Sequence, residues 1–187
     1  MSEYILNNEY DYEIINGKTY MMSRPNMDHV TIVGNIHDIF KRFLKGKTCK
    51  VYIEPDVFLD EINNFIPDIV VLCDKNKKKL KGIYGAPDLV IEILSPSTDA
   101  RDLGEKKDVY SKTGVKEYWI VDPQSKKITV YYLSDDSLKV NRVYYYRSAK
   151  ELEEMPDDDK KAIVPSFIPS LFNDLEINLS EVFEDIE

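Results

Sequence analysis

The chain has 187 residues, of which 43% are hydrophobic and 32% charged, and its formal net charge is -9. That length buries a core without staples, and the composition is ordinary for a soluble globular protein. The acidic balance excludes a protein that coats nucleic acid non-specifically, because phosphate attraction needs a basic surface. It does not exclude a nuclease, whose carboxylates are offset by the cations they hold. No signal pattern and no membrane-length apolar run is present, so a soluble cytoplasmic protein is expected. Cys49 and Cys73 have no metal-ligand spacing and read as two small, reduced core residues.

In chain order, residues 10–22 read as a β-hairpin around Asn16-Gly17, the pair favoured in tight primed turns. An amphipathic helix follows over 27–45, with Val30, Val33, Ile36, Phe40, Phe43 and Leu44 as its apolar stripe, Asn26 as N-cap and Gly46 as stop. Residues 51–59 and 65–73 read as two strands joined by a turn at Asn63-Asn64. Residues 88–94 are almost wholly apolar and predict a strand covered on both faces. A second helix is expected over 99–113, ending at Gly114. Strands are expected at 116–121, 127–133 and 139–147, an acidic loop at 151–161 and a short closing helix at 179–185. Ser95, Ser97 and Thr98 fit capping where strand meets helix. This order predicts an α/β (α+β) fold, a mixed sheet flanked by helices. We expect one domain over 1–187: a hairpin at 10–22, a core at 27–121, and late strands with a closing segment at 127–187. The aromatic late strands, with Tyr118 and Trp119, suggest core or a homodimer interface. Two lysine-rich clusters, Lys41 to Lys50 and Lys75 to Lys81, read as solvated surface or as a face for phosphate.

Three residues break the packing pattern. Asp68 follows a proline at the start of an apolar strand, where it could bond local backbone or serve chemistry. Glu92 lies mid-strand among apolar residues, which is costly unless it is paired or binds a metal. It shares a strand face with Asp88 and Val90. In the second helix Leu103, Val109 and Tyr110 define an inward stripe, and Lys106 falls near its centre while Lys107 falls toward the edge. Lys106 then either points inward or lays its stem on Tyr110 with the amine in water. Two carboxylates and a lysine suit magnesium or manganese: the metal polarises a phosphodiester and acidifies water, and the lysine steadies developing charge. Glu54 could be a further ligand or a solvated carboxylate, and Asp102 is placed to pair with Lys106 one turn away.

The run PDIVVL and the longer run GAPDLVIEILSPSTDARDLGEKKDVYSKTGVKEYWIVDP resemble the Uma-two family of restriction endonucleases, in the PD-(D/E)xK nuclease superfamily. The resemblance extends to Met21-Met22, Pro25, His29 and the closing VPSFIPSLFNDLEINLSEVF. It implies a restriction-endonuclease-like fold and a Mg2+ (or Mn2+) site that hydrolyses DNA, with Asp68 and Glu92 as metal ligands. The superfamily's usual lysine position is Leu94 here, and Lys106 in the following helix matches the family's substitute. His29 matches a family position that could touch substrate or cap its helix.

The leading expectation is a metal-dependent endonuclease that hydrolyses DNA phosphodiester bonds with activated water. The alternative is a non-catalytic binding or assembly module on the same fold. A hydrolase of another phosphoester is a third.

Overall fold

Tyr12–Ile15 (β1) and Lys18–Met21 (β2) form the expected hairpin, and its turn residues Asn16 and Gly17 both have positive φ, 50° and 77°. The computed structural model describes residues 11–95 and 101–186. Helix α1 spans Met27–Phe43, and the Asn26 side chain caps it by accepting the His29 N–H. Its buried face is carried by Ile32, Val33, Ile36, Ile39 and Phe40, with Leu44 just beyond. Val30 is exposed and Phe43 half-buried, so the expected stripe is corrected. Six residues advance an α-helix by about 600°, which sets Val30 roughly 120° from Ile36 and off the core face.

The two expected strands at 51–59 and 65–73 are each split. Lys50–Ile53 (β3) stops at Glu54, whose φ is 45°, and Pro55 follows before Val57–Phe58 (β4) resumes. Asn64–Phe65 (β5) is separated from Ile69–Leu72 (β6) by Ile66 and Pro67. Each proline removes a ladder donor, so the two halves can enter different sheets. Beyond them lie Lys78–Lys79 (β7), Gly82–Tyr84 (β8), Leu89–Ile93 (β9), Glu117–Asp122 (β10), Lys127–Ser134 (β11) and Ser137–Tyr145 (β12). The main sheet has the order β12-β11-β10-β9-β6-β3, with only β9 and β10 parallel. A smaller sheet has the order β2-β1-β5-β4-β8-β7. A third, two-stranded pair is Ser166–Phe167 (β13) with Ile177–Asn178 (β14).

The main sheet is covered on both faces, as the apolar run at 88–94 predicted. Leu89, Ile91 and Ile93 pack against α1 and the closing segment, while Val90 faces the layer that holds Phe65, Val109 and Tyr110. That second layer contains the helix Lys107–Thr113 (α2), entered through a π-helical turn at Asp102–Lys106 and ended at Gly114 with φ 91°. The expected start of this helix at Asp99 lies outside the described residues. The π turn shifts the helical phase, so Leu103 is exposed although it was counted on the inward stripe.

The acidic stretch expected as a loop instead contains Ala149–Glu154 (α3) and Asp157–Lys160 (α4). A capping box explains the first, with Ser148 and Glu151 each accepting the other's backbone N–H. Leu179–Val182 (α5) is the closing helix. Cys49 and Cys73 are joined in a disulfide, which corrects the reading of two reduced core residues. The cause is register: Lys50 pairs with Leu72, so the next residues outward face each other across β3 and β6. Tyr118, Trp119, Tyr131 and Tyr144 are buried within the chain as core, while Val140 and Tyr145 of β12 are exposed. Among the described residues no helix is long and apolar enough to cross a membrane.

Glu117 pins the closing segment to the sheet. Its side chain is fully buried, with Oε1 accepting the Trp119 Nε1–H at 2.6 Å and Oε2 accepting the Ser170 N–H at 2.9 Å and the Ser170 hydroxyl. Burial pushes its carboxyl above the usual range, against the pull of those donors. A raised acid holds its proton better folded than unfolded, so its share of stability is complete below the unfolded value and lost as pH rises through the folded one. Urea denaturation of Glu117→Ala should show a loss of about 2–4 kcal/mol, from stranded donors and the void together. The advantage of wild type over Glu117→Gln should be largest in acid and shrink as pH rises above the ordinary glutamate value.

Candidate active site

Register brings the two carboxylates together. Ile69 pairs with Ile91 across β6 and β9, so one step outward Asp68 stands opposite Glu92. Directly opposed residues of an antiparallel pair point to the same face. Asp68 Oδ2 accepts the Ile93 N–H at 2.6 Å, and the Asp68 N–H points at Glu92 Oε2 at 3.4 Å. Both residues are buried.

His29 and Lys106 close on this pair from two sides. His29, in the first turn of α1, places Nε2 3.1 Å from Asp68 Oδ1. Burial works to lower the imidazole's pKa, but the Asp68 hydrogen bond and charge outweigh it, and the value is raised. Its Nδ1 is buried with no hydrogen-bond partner among the described residues. Lys106 Nζ lies 2.7 Å from Glu92 Oε1, 2.8 Å from Glu13 Oε1 and 3.3 Å from Asp102 Oδ1. The amine is enclosed, with 3% of the side chain exposed, so the snorkelling alternative is overturned. Desolvation opposes its charge, yet Glu92, Asp102 and Glu13 outweigh it and raise its pKa well above the ordinary lysine value. The Tyr110 hydroxyl also donates to Glu92 Oε1, at 2.9 Å. Burial, aided by the neighbouring acids, raises Glu92 well above the usual carboxylate range in spite of Lys106.

Among the described residues the side chains at this site carry more acids than bases. Glu13, Asp68, Glu92 and Asp102 are four buried carboxyl groups around one ammonium and one imidazole. A divalent cation would offset that excess, and the hard oxygens of Asp68 and Glu92 would suit magnesium or manganese. Among the described residues no three His, Cys, Asp or Glu side chains form a metal-holding group. The oxygen donors facing each other here are the two carboxylates of Asp68 and Glu92, a set that would suit magnesium, an ion that usually takes one or two carboxylates and keeps several waters. The pocket at this point has a volume of about 50 Å³ and is lined by Glu13, His29, Glu54, Asp68, Glu92 and Lys106 among others. That is room for one or two water-sized groups.

All the expected residues except Glu54 make contact here. Asp102 pairs with Lys106 as its spacing predicted, and its carbonyl accepts the Tyr118 hydroxyl at 3.0 Å. Glu54 is exposed and lines the pocket's rim, because its positive φ ends the strand alternation assumed for it. Ser95 lines the same pocket, while Ser97 and Thr98 lie outside the described residues. Glu13 was missed. The available signal was its period-two match to Ile15, which is fully buried one strand step away. The first lysine-rich cluster is partly neutralised: Arg42 pairs with Asp38 and Glu181, and Lys47 with Asp174.

A central mixed sheet with its carboxylates at one strand end defines a restriction-endonuclease-like α+β protein. A solved structure from Anabaena variabilis, described as "a putative nuclease belonging to DUF820", shares this fold with a TM-score of 0.69 and 21% identity, over 92% of this chain and 89% of that one. The uncharacterized protein slr1290 of Synechocystis is 31% identical over 129 residues, covering 67% of each chain. Residues 2–159 match the Uma2 family, described as "Putative restriction endonuclease", and the chain belongs to that family.

Removing the ammonium should leave the carboxylates uncompensated. In EDTA, Lys106→Met should lower stability to urea by roughly 3–5 kcal/mol. Tyr110→Phe, which deletes one neutral donor, should cost about 1 kcal/mol. Equal losses in the two variants would contradict the central role of Lys106.

Proposed function

We propose that this chain is a magnesium-dependent endonuclease that hydrolyses DNA phosphodiester bonds by activated water. The observation that carries this reading is the placement of Asp68 and Glu92 opposite each other on one sheet face, with Lys106 against Glu92. Membership of a family described as restriction endonucleases supports it, as does a fold shared with a protein described as a nuclease. Asp68 and Glu92 would hold the ion, which when bound polarises the phosphodiester and acidifies water.

The chain's other groups set those two side chains. The Ile93 amide and His29 fix Asp68, and such outer partners set both orientation and basicity. Lys106 and Tyr110 hold Glu92 Oε1, while among the described residues Oε2 faces only the long contact from the Asp68 N–H. In this arrangement Lys106 is a positioning residue, since three carboxylates already occupy its amine. That same enclosure is the observation favouring the second reading, a non-catalytic nucleic-acid-binding or assembly module.

Cleavage of plasmid and single-stranded DNA separates the two readings. Wild type should cut with magnesium or manganese and not with EDTA. Asp68→Asn and Glu92→Gln should each lose roughly a thousandfold or more, equivalent to several kcal/mol of transition-state stabilisation. His29→Ala should lose about 10- to 100-fold, as expected for a ligand's partner. Wild type and Glu92→Gln equally inert with both metals would leave the assembly reading.

A further inference from the structure

The active-site pocket opens into a larger groove of about 1070 Å³, and six residues, His29 and Glu54 among them, line both. This is slightly above the usual range of small-ligand sites, roughly 300–1,000 Å³. Part of its lining is apolar: Val30, Val33 and Gly34 of α1 with Ile53 of β3. Val30 and Ile53 are 49% and 42% exposed, so the chain's own core does not use them fully. A glycine inside a helix costs about 1 kcal/mol against alanine. A Cβ at Gly34 would meet nothing within 4 Å, so close packing does not require the glycine. Its physical effect is to leave this part of the groove open.

The walls are acidic. Asp11, Glu54 and Asp56 line the groove, and among the described residues Arg24 is its one lysine or arginine. Such a lining does not track a phosphate backbone, which calls for a basic groove. Carboxylates do accept hydrogen bonds from exocyclic amino groups of bases, as they do from cytosine N4. Glu54 adopts φ 45° without being glycine or asparagine. Backbone strain of that kind costs on the order of 1–3 kcal/mol and clusters at ligand sites. Here it sets Glu54 on the wall where groove and pocket meet.

We propose that this groove seats an unpaired nucleobase of the substrate strand. The apolar lining around Val30, Val33 and Ile53 takes the ring face, and Glu54 and Asp56 accept its amino hydrogens. The adjoining phosphodiester then lies at Asp68 and Glu92, a placement that rests on the nuclease reading above. The substrate class is single-stranded or locally unpaired DNA, because a paired base hides the edge that the wall reads. Cytosine, which carries an amino group, is preferred to thymine, which has none.

Fluorescence anisotropy on the full chain carrying Glu92→Gln, with calcium replacing magnesium, tests this with labelled oligo-dC, oligo-dT and a blunt duplex. Oligo-dC should bind about tenfold more tightly than oligo-dT, the discrimination expected of a base-edge contact. The duplex should bind more weakly than either. Glu54→Gln should erase most of the difference between oligo-dC and oligo-dT. Gly34→Leu, which fills open space, and Val30→Glu, at an exposed position, should each weaken oligo-dC binding while leaving the melting temperature near that of the parent. A duplex bound as tightly as oligo-dC, or oligo-dC binding unchanged in both groove variants, overturns the assignment. Cleavage is measured separately with Glu92 intact. Duplex cleavage that Gly34→Leu leaves unchanged contradicts the groove while sparing the nuclease reading. Absence of all cleavage, with the oligo-dC preference retained, contradicts the nuclease reading while sparing the groove.

Discussion

Lys106 Nζ joins parts of the chain that have no local reason to meet. Glu13 comes from the opening hairpin, 93 residues away; Glu92 comes from the main sheet; Asp102 comes from the lysine's own π turn. Each carboxylate is buried and would be costly there alone. The ammonium is equally costly without them, so the smaller sheet, the main sheet and α2 are coupled through one charged contact. The π turn is part of this arrangement. Asp102 and Lys106 are both buried in it, and Leu103 is turned outward; π turns of this kind recur at functional sites.

Among the described residues, Glu13, Asp68, Glu92 and Asp102 outnumber the ammonium of Lys106 and the imidazole of His29. Burial and mutual repulsion therefore push Glu92 toward its neutral form in the metal-free chain. A divalent cation between Asp68 and Glu92 would relieve that repulsion, which ties the stability of the site to its loading. The same residues border the groove, where Glu54 carries the acidic character from the pocket to the wall. An overall charge of -9 thus has a local counterpart in the site, and attraction for a phosphate backbone has to come through bound cations.

Much of this was legible in residue order. Glu92 announced itself as a charge inside an apolar strand, and the strand is indeed buried at every position. The hairpin, α1 and the late strands followed from turn chemistry and periodicity. The inward direction of Lys106 follows from Val109 and Tyr110, and its side chain is buried, although Leu103, used with them, is exposed. Periodicity assumes a regular helix and cannot register a π turn. Glu13 and the Cys49–Cys73 pairing were illegible for a different reason: both depend on which strands become neighbours, and local pattern carries no register between distant segments. The split of the two long strands is intermediate. Pro55 and Pro67 marked the break points, but only tertiary pairing shows that the halves serve separate sheets.

The central claim is that Asp68 and Glu92 together form a divalent-cation site compensating the buried acids. Titration of manganese into the full chain, followed by electron paramagnetic resonance of the free ion, measures this without any substrate. Wild type should remove manganese from solution saturably, magnesium should displace it, and both Asp68→Asn and Glu92→Gln should lose that binding while remaining folded. Saturable binding of equal strength in wild type and both variants, or no binding in any of them, would contradict the account.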